Sequence, residues 1–235
     1  MSQGRDHEHG HGGGHGHGHG GSVGGGHGAG DEGQVKRDRF GNPEDLARYL
    51  AKLDAPDRAC WQKPDEVVAA MRLSLGDVVA DVGAGAGYFA LRLAQVVGPT
   101  GRVHALDVEP RLAAVLVDRA REAGLANVHS VVSRDEQPLP PEPCRAILLV
   151  NAFHHFPDGA GALRALAARL APDGRIVLVE FHEGELPLGP PPDHKVTRAR
   201  ILSDVTAAGL EVEREETFLP YQHYLVLRRR AAGST

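Results

Sequence analysis

The sequence is short of the residues that staple a chain or anchor it. Its 235 residues include two cysteines, Cys60 and Cys144, far apart and in no CxxC pair. That excludes a disulfide framework, argues against a cysteine-based zinc site, and points to a reducing, cytoplasmic compartment. No segment approaches the ~20 apolar residues of a membrane span. No apolar run precedes Val78, so neither a signal peptide nor an anchor is expected. Lysine is scarce, at four residues, and the formal net charge is −5. An acidic total of that kind does not suit wrapping nucleic acid or lying on an anionic membrane, and neither is expected as a partner.

What is present divides into two materials. Residues 1–33 hold 15 glycines and seven histidines, His7, His9, His11, His15, His17, His19 and His27, with Val23 as the one large apolar residue after Met1. Such a stretch cannot offset its ordering entropy by burial, so residues 1–35 are read as a disordered leader. Neutral imidazole is a common ligand for divalent transition metals, and glycine lets several imidazoles gather on one ion. His7, His9, His11, His15, His17 and His19 are therefore candidate metal ligands. Drifted low-complexity sequence that binds metal incidentally is the alternative.

Residues 36–75 read as N-terminal helices over a site. Asn42-Pro43-Glu44-Asp45 has the form of a helix start, with Asn as N-cap and Pro at the first helical position, followed by Leu46, Leu50 and Leu53 on one face. A second start is Lys63-Pro64-Asp65-Glu66, with Val67, Val68 and Met71 as its stripe; Trp61 falls in the connection.

From 76 to 230, short apolar runs alternate with helical patterns. The runs are Val78–Val82, Arg102–Asp107, Val128–Val132, Ala146–Val150 and Ile176–Phe181, and two closing runs, Leu210–Phe218 and Tyr221–Arg228, are joined by Leu219-Pro220. Helices are expected over Tyr88–Val97, Pro110–Ala123, Gly159–Leu170 and Thr197–Ala208, with Pro172-Asp173-Gly174 as a turn. Strand–helix alternation implies an α/β fold with a doubly wound, mostly parallel sheet and helices on both faces. The short last connection allows only an antiparallel pair.

One segment carries the chemistry. In Val79-Ala80-Asp81-Val82-Gly83-Ala84-Gly85-Ala86-Gly87-Tyr88 a strand runs into a glycine-rich turn that opens a helix. Glycines there let a ligand approach the backbone. The spacing is GxGxG rather than the GxGxxG of the dinucleotide fingerprint. Asp81 lies two residues before the first glycine, where a phosphate would be repelled and a cation welcomed. Asp107 ends the next strand, 20 residues after Gly87, where a carboxylate can accept both hydroxyls of a ribose. Both acids belong at the topological switch point of an open α/β sheet.

VVADVGAGAGYFALRLA resembles the first motif of class I S-adenosylmethionine-dependent methyltransferases, and HALDVEP resembles their second-strand acid. The resemblance covers about residues 60 to 229. It implies a seven-stranded sheet of order 3-2-1-4-5-7-6 with the last strand antiparallel. DRACWQKPDEVV, LLVNAFHHFPDG and GPPPDHK look like a small-molecule-type branch, more distantly similar to the ubiquinone/menaquinone-biosynthesis group. The resemblance implies S-adenosylmethionine as cofactor, with Gly83, Ala84, Gly85, Gly87 and Tyr88 lining its methionine and ribose part. It also implies Asp81 on the amino group, Asp107 on the ribose and Val108 beside adenine. Asp135 or Glu136 would reach the adenine amino group, unless they form a plain solvated loop, and Asn151 would face the methyl donor. Arg145 departs from the pattern, which often has an acid there. The cysteine set of arsenite methyltransferases is absent.

Beyond the fourth strand, Asn151-Ala152-Phe153-His154-His155-Phe156-Pro157 should stand at the pocket mouth. His154 and His155 are candidate catalytic bases for a substrate hydroxyl or amine; the alternative is that they pack and hydrogen-bond. The Pro-rich loop 182–196 is a second candidate wall, or a stiff connector. Tyr221, His223 and Tyr224 alternate along a strand and read as core or sheet face. With no evident basic recognition module after the last strand, the expected acceptor is a small molecule. A metal-handling protein acting through its leader, a nicotinamide-dependent dehydrogenase and a methyltransferase of macromolecules are the competing readings.

Overall fold

A computed structural model describes residues 44–133 and 139–231. The leader histidines, Asn42, Pro43, Asp135 and Glu136 lie outside the described residues. Seven strands form one sheet of order β3-β2-β1-β4-β5-β7-β6. They are β1 Val78–Val82, β2 Arg102–Asp107, β3 Val128–Val132, β4 Cys144–Val150, β5 Leu170–Phe181, β6 Leu210–Glu216 and β7 Gln222–Arg229. The strands from β3 to β5 pair in parallel, and β7 is antiparallel to both its neighbours. The reversal comes from the short link after β6, which leaves no room for a crossover.

β4 lies at the centre of the sheet, and its Ile147, Leu148 and Leu149 are fully enclosed. A central parallel strand is covered on both faces, so it reads as a continuous apolar run. Each such side chain contributes about 1.5–3 kcal/mol by leaving water. One face of the sheet packs on α3 Pro64–Ala70 and α4 Ala90–Val97, through Val67, Leu93, Leu148, Val179 and Tyr224. The other packs on α6 Gly159–Ala167 and α7 Arg198–Ala207, through Ile147, Leu163, Leu178, Ile201 and Leu225. α5 Pro110–Glu122 lies along β2 and β3. Tyr224 belongs to the core, its hydroxyl donating to the Val67 carbonyl at 3.1 Å.

Three expectations need correction. The first described helix, α1, spans Leu46–Leu53 and is capped by Asp45, whose carboxylate accepts the Arg48 N–H. Trp61 is not in a connection but in a short helix, α2 Arg58–Gln62. The helix after Gly159 stops at Ala167, and strand β5 starts at Leu170, so Pro172-Asp173-Gly174 lies within β5. There Cys144 pairs with Leu170 but Ala146 with Arg175, so the extra residues bulge out of the ladder. A Cβ on Gly174 would meet the Cys144 carbonyl oxygen at 2.7 Å, which is why the bulge needs glycine.

Candidate cofactor and acceptor site

The glycine loop is held by backbone bonds before any ligand is considered. The Gly83 and Ala84 N–H groups both donate to the Leu106 carbonyl, at 2.9 and 3.0 Å. The Gly85 N–H donates to Asp107 Oδ2 at 2.7 Å, and Glu109 N–H to Oδ1 at 2.9 Å. Asp107 thus ties the loop to the end of β2, keeping lone pairs for a further donor. Burial raises its pKa, opposed by those same backbone bonds. Gly83, Gly85 and Gly87 all have positive φ. Gly83 also makes a close approach: a Cβ there would stand 2.8 Å from the Ala152 Cβ, at the mouth of β4. Val108 follows Asp107 and is 44% exposed, a free apolar surface beside the loop.

Asp81 is 2% exposed. Burial, and then the neighbouring Asp107, push its carboxyl up to about 7, while the Ala90 N–H and the Arg58 guanidinium act in the other direction. Its Oδ2 has no hydrogen-bond partner among the described residues. A buried unpaired carboxylate oxygen is costly, and such an atom is where a ligand belongs.

The covering helices bring further orphans to the same place. Leu53 of α1 lies 3.6 Å from where a Gly85 Cβ would stand. Asp54 is latched to Arg119 of α5 at 2.6 Å. Arg58 donates to the Leu53 carbonyl at 2.8 Å, and its guanidinium stacks over Tyr88, 3.8 Å from the ring centroid. Arg92 approaches the same ring at 4.5 Å. Burial lowers the Arg58 pKa. Gln62 Nε2 and the Tyr88 hydroxyl are buried without a partner among the described residues.

The other half of the site stands on β4, β5 and β7. Asn151 has φ 53°, the left-handed region, and its N–H donates to the Val179 carbonyl at 2.9 Å. Its Oδ1 accepts from Gln222 Nε2 at 2.8 Å, so it is partly committed within the protein. Gln222 is 1% exposed and its Oε1 has no partner among the described residues. Glu180, 2% exposed, accepts the Phe153 N–H at 2.7 Å and the His154 N–H at 3.2 Å, and lies 3.0 Å from His154 Nδ1. That carboxylate fixes the imidazole, leaving Nε2 as the nitrogen that can take a proton. His155 stacks on His154 with ring centroids 4.0 Å apart but is exposed. The two sequence candidates therefore separate: one is braced by a buried acid, the other is on the surface. Trp61 stacks on Phe181 at 5.7 Å, bringing α2 to the end of β5. His182 and His223 stack at 4.4 Å, and Lys195 closes the Pro-rich loop by donating to the Gly184 carbonyl at 2.7 Å.

Sequence reasoning missed Arg58, Gln62, Glu180 and Gln222. The spacing of none of them signals a site; the fold brings each to its partner. No cluster of three or more potential metal ligands occurs among the described residues, and none of their helices is long and apolar enough to cross a membrane.

Known proteins are similar to this chain in sequence and fold. Residues 79–174 match the family model of the methyltransferase domain. A solved S-adenosylmethionine-dependent methyltransferase from Aquifex aeolicus is 26% identical with a TM-score of 0.71, over 77% of this chain and 96% of that one. Protein-L-isoaspartate O-methyltransferase 2 of Anaeromyxobacter sp. (strain Fw109-5) is 37% identical over 166 residues, 66% of this chain and 63% of that one. Aklanonic acid methyltransferase DauC of Streptomyces sp. (strain C5) is 34% identical over 121 residues, 49% of this chain and 54% of that one. The match thus spans less than two thirds of either curated relative's length. Residues 79–174 thus carry a methyltransferase domain, in a chain whose seven-stranded Rossmann-like fold is similar to that of a solved S-adenosylmethionine-dependent methyltransferase.

Proposed function

We propose that the protein transfers the methyl group of S-adenosylmethionine to a small-molecule acceptor. The observation that carries the reading is the set of buried groups near the glycine loop without a partner among the described residues: Asp81 Oδ2, Gln62 Nε2 and the Tyr88 hydroxyl, with the Arg58 cation beside them. They fit the zwitterionic methionine end: Asp81 takes the ammonium, and Arg58, Gln62 and Tyr88 take the carboxylate. Asp107 takes the ribose hydroxyls and Val108 flanks the adenine, with Asp135 or Glu136 on its amino group. Bound there, the cofactor supplies an electrophilic methyl on a sulfonium leaving group.

The chain's remaining task is to orient the acceptor and keep water out, which supplies most of the acceleration in such a transfer. Asn151 and Gln222 hold polar groups of the acceptor at the mouth of β4, and Trp61 and Phe181 form its apolar wall. His154, braced by Glu180, accepts the proton from the acceptor's O–H or N–H as the bond to the methyl carbon forms. The similarity to a protein-L-isoaspartate methyltransferase favours a second reading, in which the acceptor is a carboxyl group on a protein. The deciding experiment titrates S-adenosylmethionine calorimetrically, then assays methyl transfer to a panel of phenols and quinols against an isoaspartyl peptide. Turnover with the panel and not the peptide supports the first reading. No binding of S-adenosylmethionine by a folded protein overturns both. His154→Ala should lower turnover about 10²-fold, and His155→Ala much less.

The leader is a separate proposal. His7, His9, His11, His15, His17 and His19 bind a divalent transition ion such as Zn²⁺, Ni²⁺ or Cu²⁺. A chain starting at Gln34 should lose that binding and keep its affinity for S-adenosylmethionine. A metal-dependent change in that affinity would make the leader regulatory instead.

A further inference from the structure

At the end of the sheet away from the glycine loop lies a cavity of about 360 Å³ with a different chemistry. Four arginines line it, Arg72, Arg145, Arg175 and Arg214, against one lining carboxylate, Glu213. Its floor is closed by core residues, Ala146 of β4, Val177 of β5 and Val226 of β7, and the half-buried Leu73 supplies apolar surface at its side.

The charges there do not cancel. Arg175 is satisfied by both oxygens of Glu213, at 2.7 and 2.8 Å, and by the Asp173 and Gly174 carbonyls. Arg214 reaches Glu216 at 2.9 Å and the Ala70 carbonyl. Nearby Arg228 sits on Glu211 at 2.7 Å and 4.0 Å from Glu213, and the exposed Asp173 carboxylate acts on Arg175. That leaves two cations. Arg145 donates to the Asp173 carbonyl and forms no ion pair among the described residues, and Arg72 has no side-chain hydrogen bond or ion pair among them. Arg72 is also held in the left-handed region, φ 56°, at the end of α3, where glycine is the favoured residue. A charged side chain is thus kept at the cavity rim in a backbone position that disfavours it.

We propose that this cavity binds a small phosphorylated molecule, its phosphate between Arg72 and Arg145 and its organic part against the half-buried Leu73. Guanidinium forks match phosphate oxygens two at a time, and the volume suits a ligand of modest size. The site is distinct from the transfer site: Ala146 and Asn151 are five residues apart along β4, roughly 16 Å at the usual strand rise. The two ligands therefore bind together. The proposal stands whether or not the methyltransferase reading holds.

The test titrates inorganic pyrophosphate into the full chain by calorimetry, at about 0.15 M salt with a chelator present. Saturable binding of one pyrophosphate per chain is expected, with unchanged affinity for S-adenosylmethionine in its presence. Arg145→Ala and Arg72→Gly should each weaken it roughly tenfold or more. Arg72→Gly relieves the left-handed backbone, so a loss of binding in that variant is not a loss of fold. Heat that never saturates, affinity unchanged in both variants, or competition with S-adenosylmethionine would each overturn the proposal.

Discussion

The two halves of the candidate site are built on different principles. Around β1 and β2, the loop glycines, Tyr88 and two acids lie within residues 81–109, joined by Arg58 and Gln62 of α2, and the turn itself is closed by local bonds such as Gly85 to Asp107. Around β4, β5 and β7, each polar group is positioned by a residue distant in sequence: Asn151 by Gln222, His154 by Glu180. A compact segment serves a ligand of constant structure. A set of long-range pairs can be exchanged pair by pair as the acceptor changes, without disturbing the glycine loop.

The largest expected effect is on stability, in the second half. Glu180 satisfies the Phe153 and His154 N–H groups in a buried position. Glu180→Ala orphans both and should cost about 2–3 kcal/mol, read as a fall in melting temperature of roughly 5–10 °C. Glu180→Gln keeps an acceptor oxygen and should lose less than half of that. Equal losses would mean that the charge, not the two acceptor bonds, organises this half.

Next comes cofactor affinity, in the first half. Asp107→Ala removes the proposed ribose acceptor and also releases the Gly85 and Glu109 N–H groups, and should weaken S-adenosylmethionine by roughly 1.5–3 kcal/mol in calorimetry. Gln222→Ala should leave that affinity nearly unchanged. If both weaken binding alike, the two halves are one unit.

The halves meet at Gly83, and that contact is testable. Gly83→Ala must place a Cβ 2.8 Å from that of Ala152 while holding a φ of 78°, at an expected cost of about 1–3 kcal/mol. Adding Ala152→Gly removes the clash but not the strain, so the double variant should recover part of the loss. The recovered part measures the coupling between the halves; strict additivity would show that Gly83 serves the turn alone.

This contrast also sets what was legible in the sequence. β1 and β2 have the bounds their apolar runs suggest, because a parallel strand covered on both faces writes itself as a run; β3 matches its run as well, although it is an edge strand with no fully buried residue. The placing of Asp81 and Asp107 beside the glycine loop was legible because it depends on distance from nearby glycines. Glu180 was not: it sits at the end of an apolar run, and its partners lie 26 and 27 residues earlier. α2 is too short for a helical period to show, which hid Arg58 and Gln62. The start of β5 was masked by Pro172-Asp173-Gly174, strong turn residues absorbed here as a bulge.

The last effect, and the one most specific to the first half, is a proton. Burial and Asp107 raise the Asp81 carboxyl to about 7, with Arg58 and the Ala90 N–H opposing them. Its unfolded value is near 3.9. The folded protein therefore holds more protons than the unfolded chain between these values, and stability falls as pH rises through that window. The penalty is absent below about pH 4 and complete above pH 7. A cationic ammonium on Asp81 reverses the preference and favours the carboxylate. Binding of S-adenosylmethionine near pH 6 should then release up to one proton, and affinity should fall about tenfold per pH unit below 7. Calorimetry in two buffers of different ionisation enthalpy counts that proton. Asp81→Asn should bind more weakly, release none, and lose this part of the pH dependence, while its cofactor-free form gains stability above pH 7. The comparison with Asp81→Asn isolates the aspartate from any other group that releases a proton. Wild type and variant releasing the same number of protons would remove Asp81 from the ammonium and leave Asp107 and the glycine loop to carry the cofactor half.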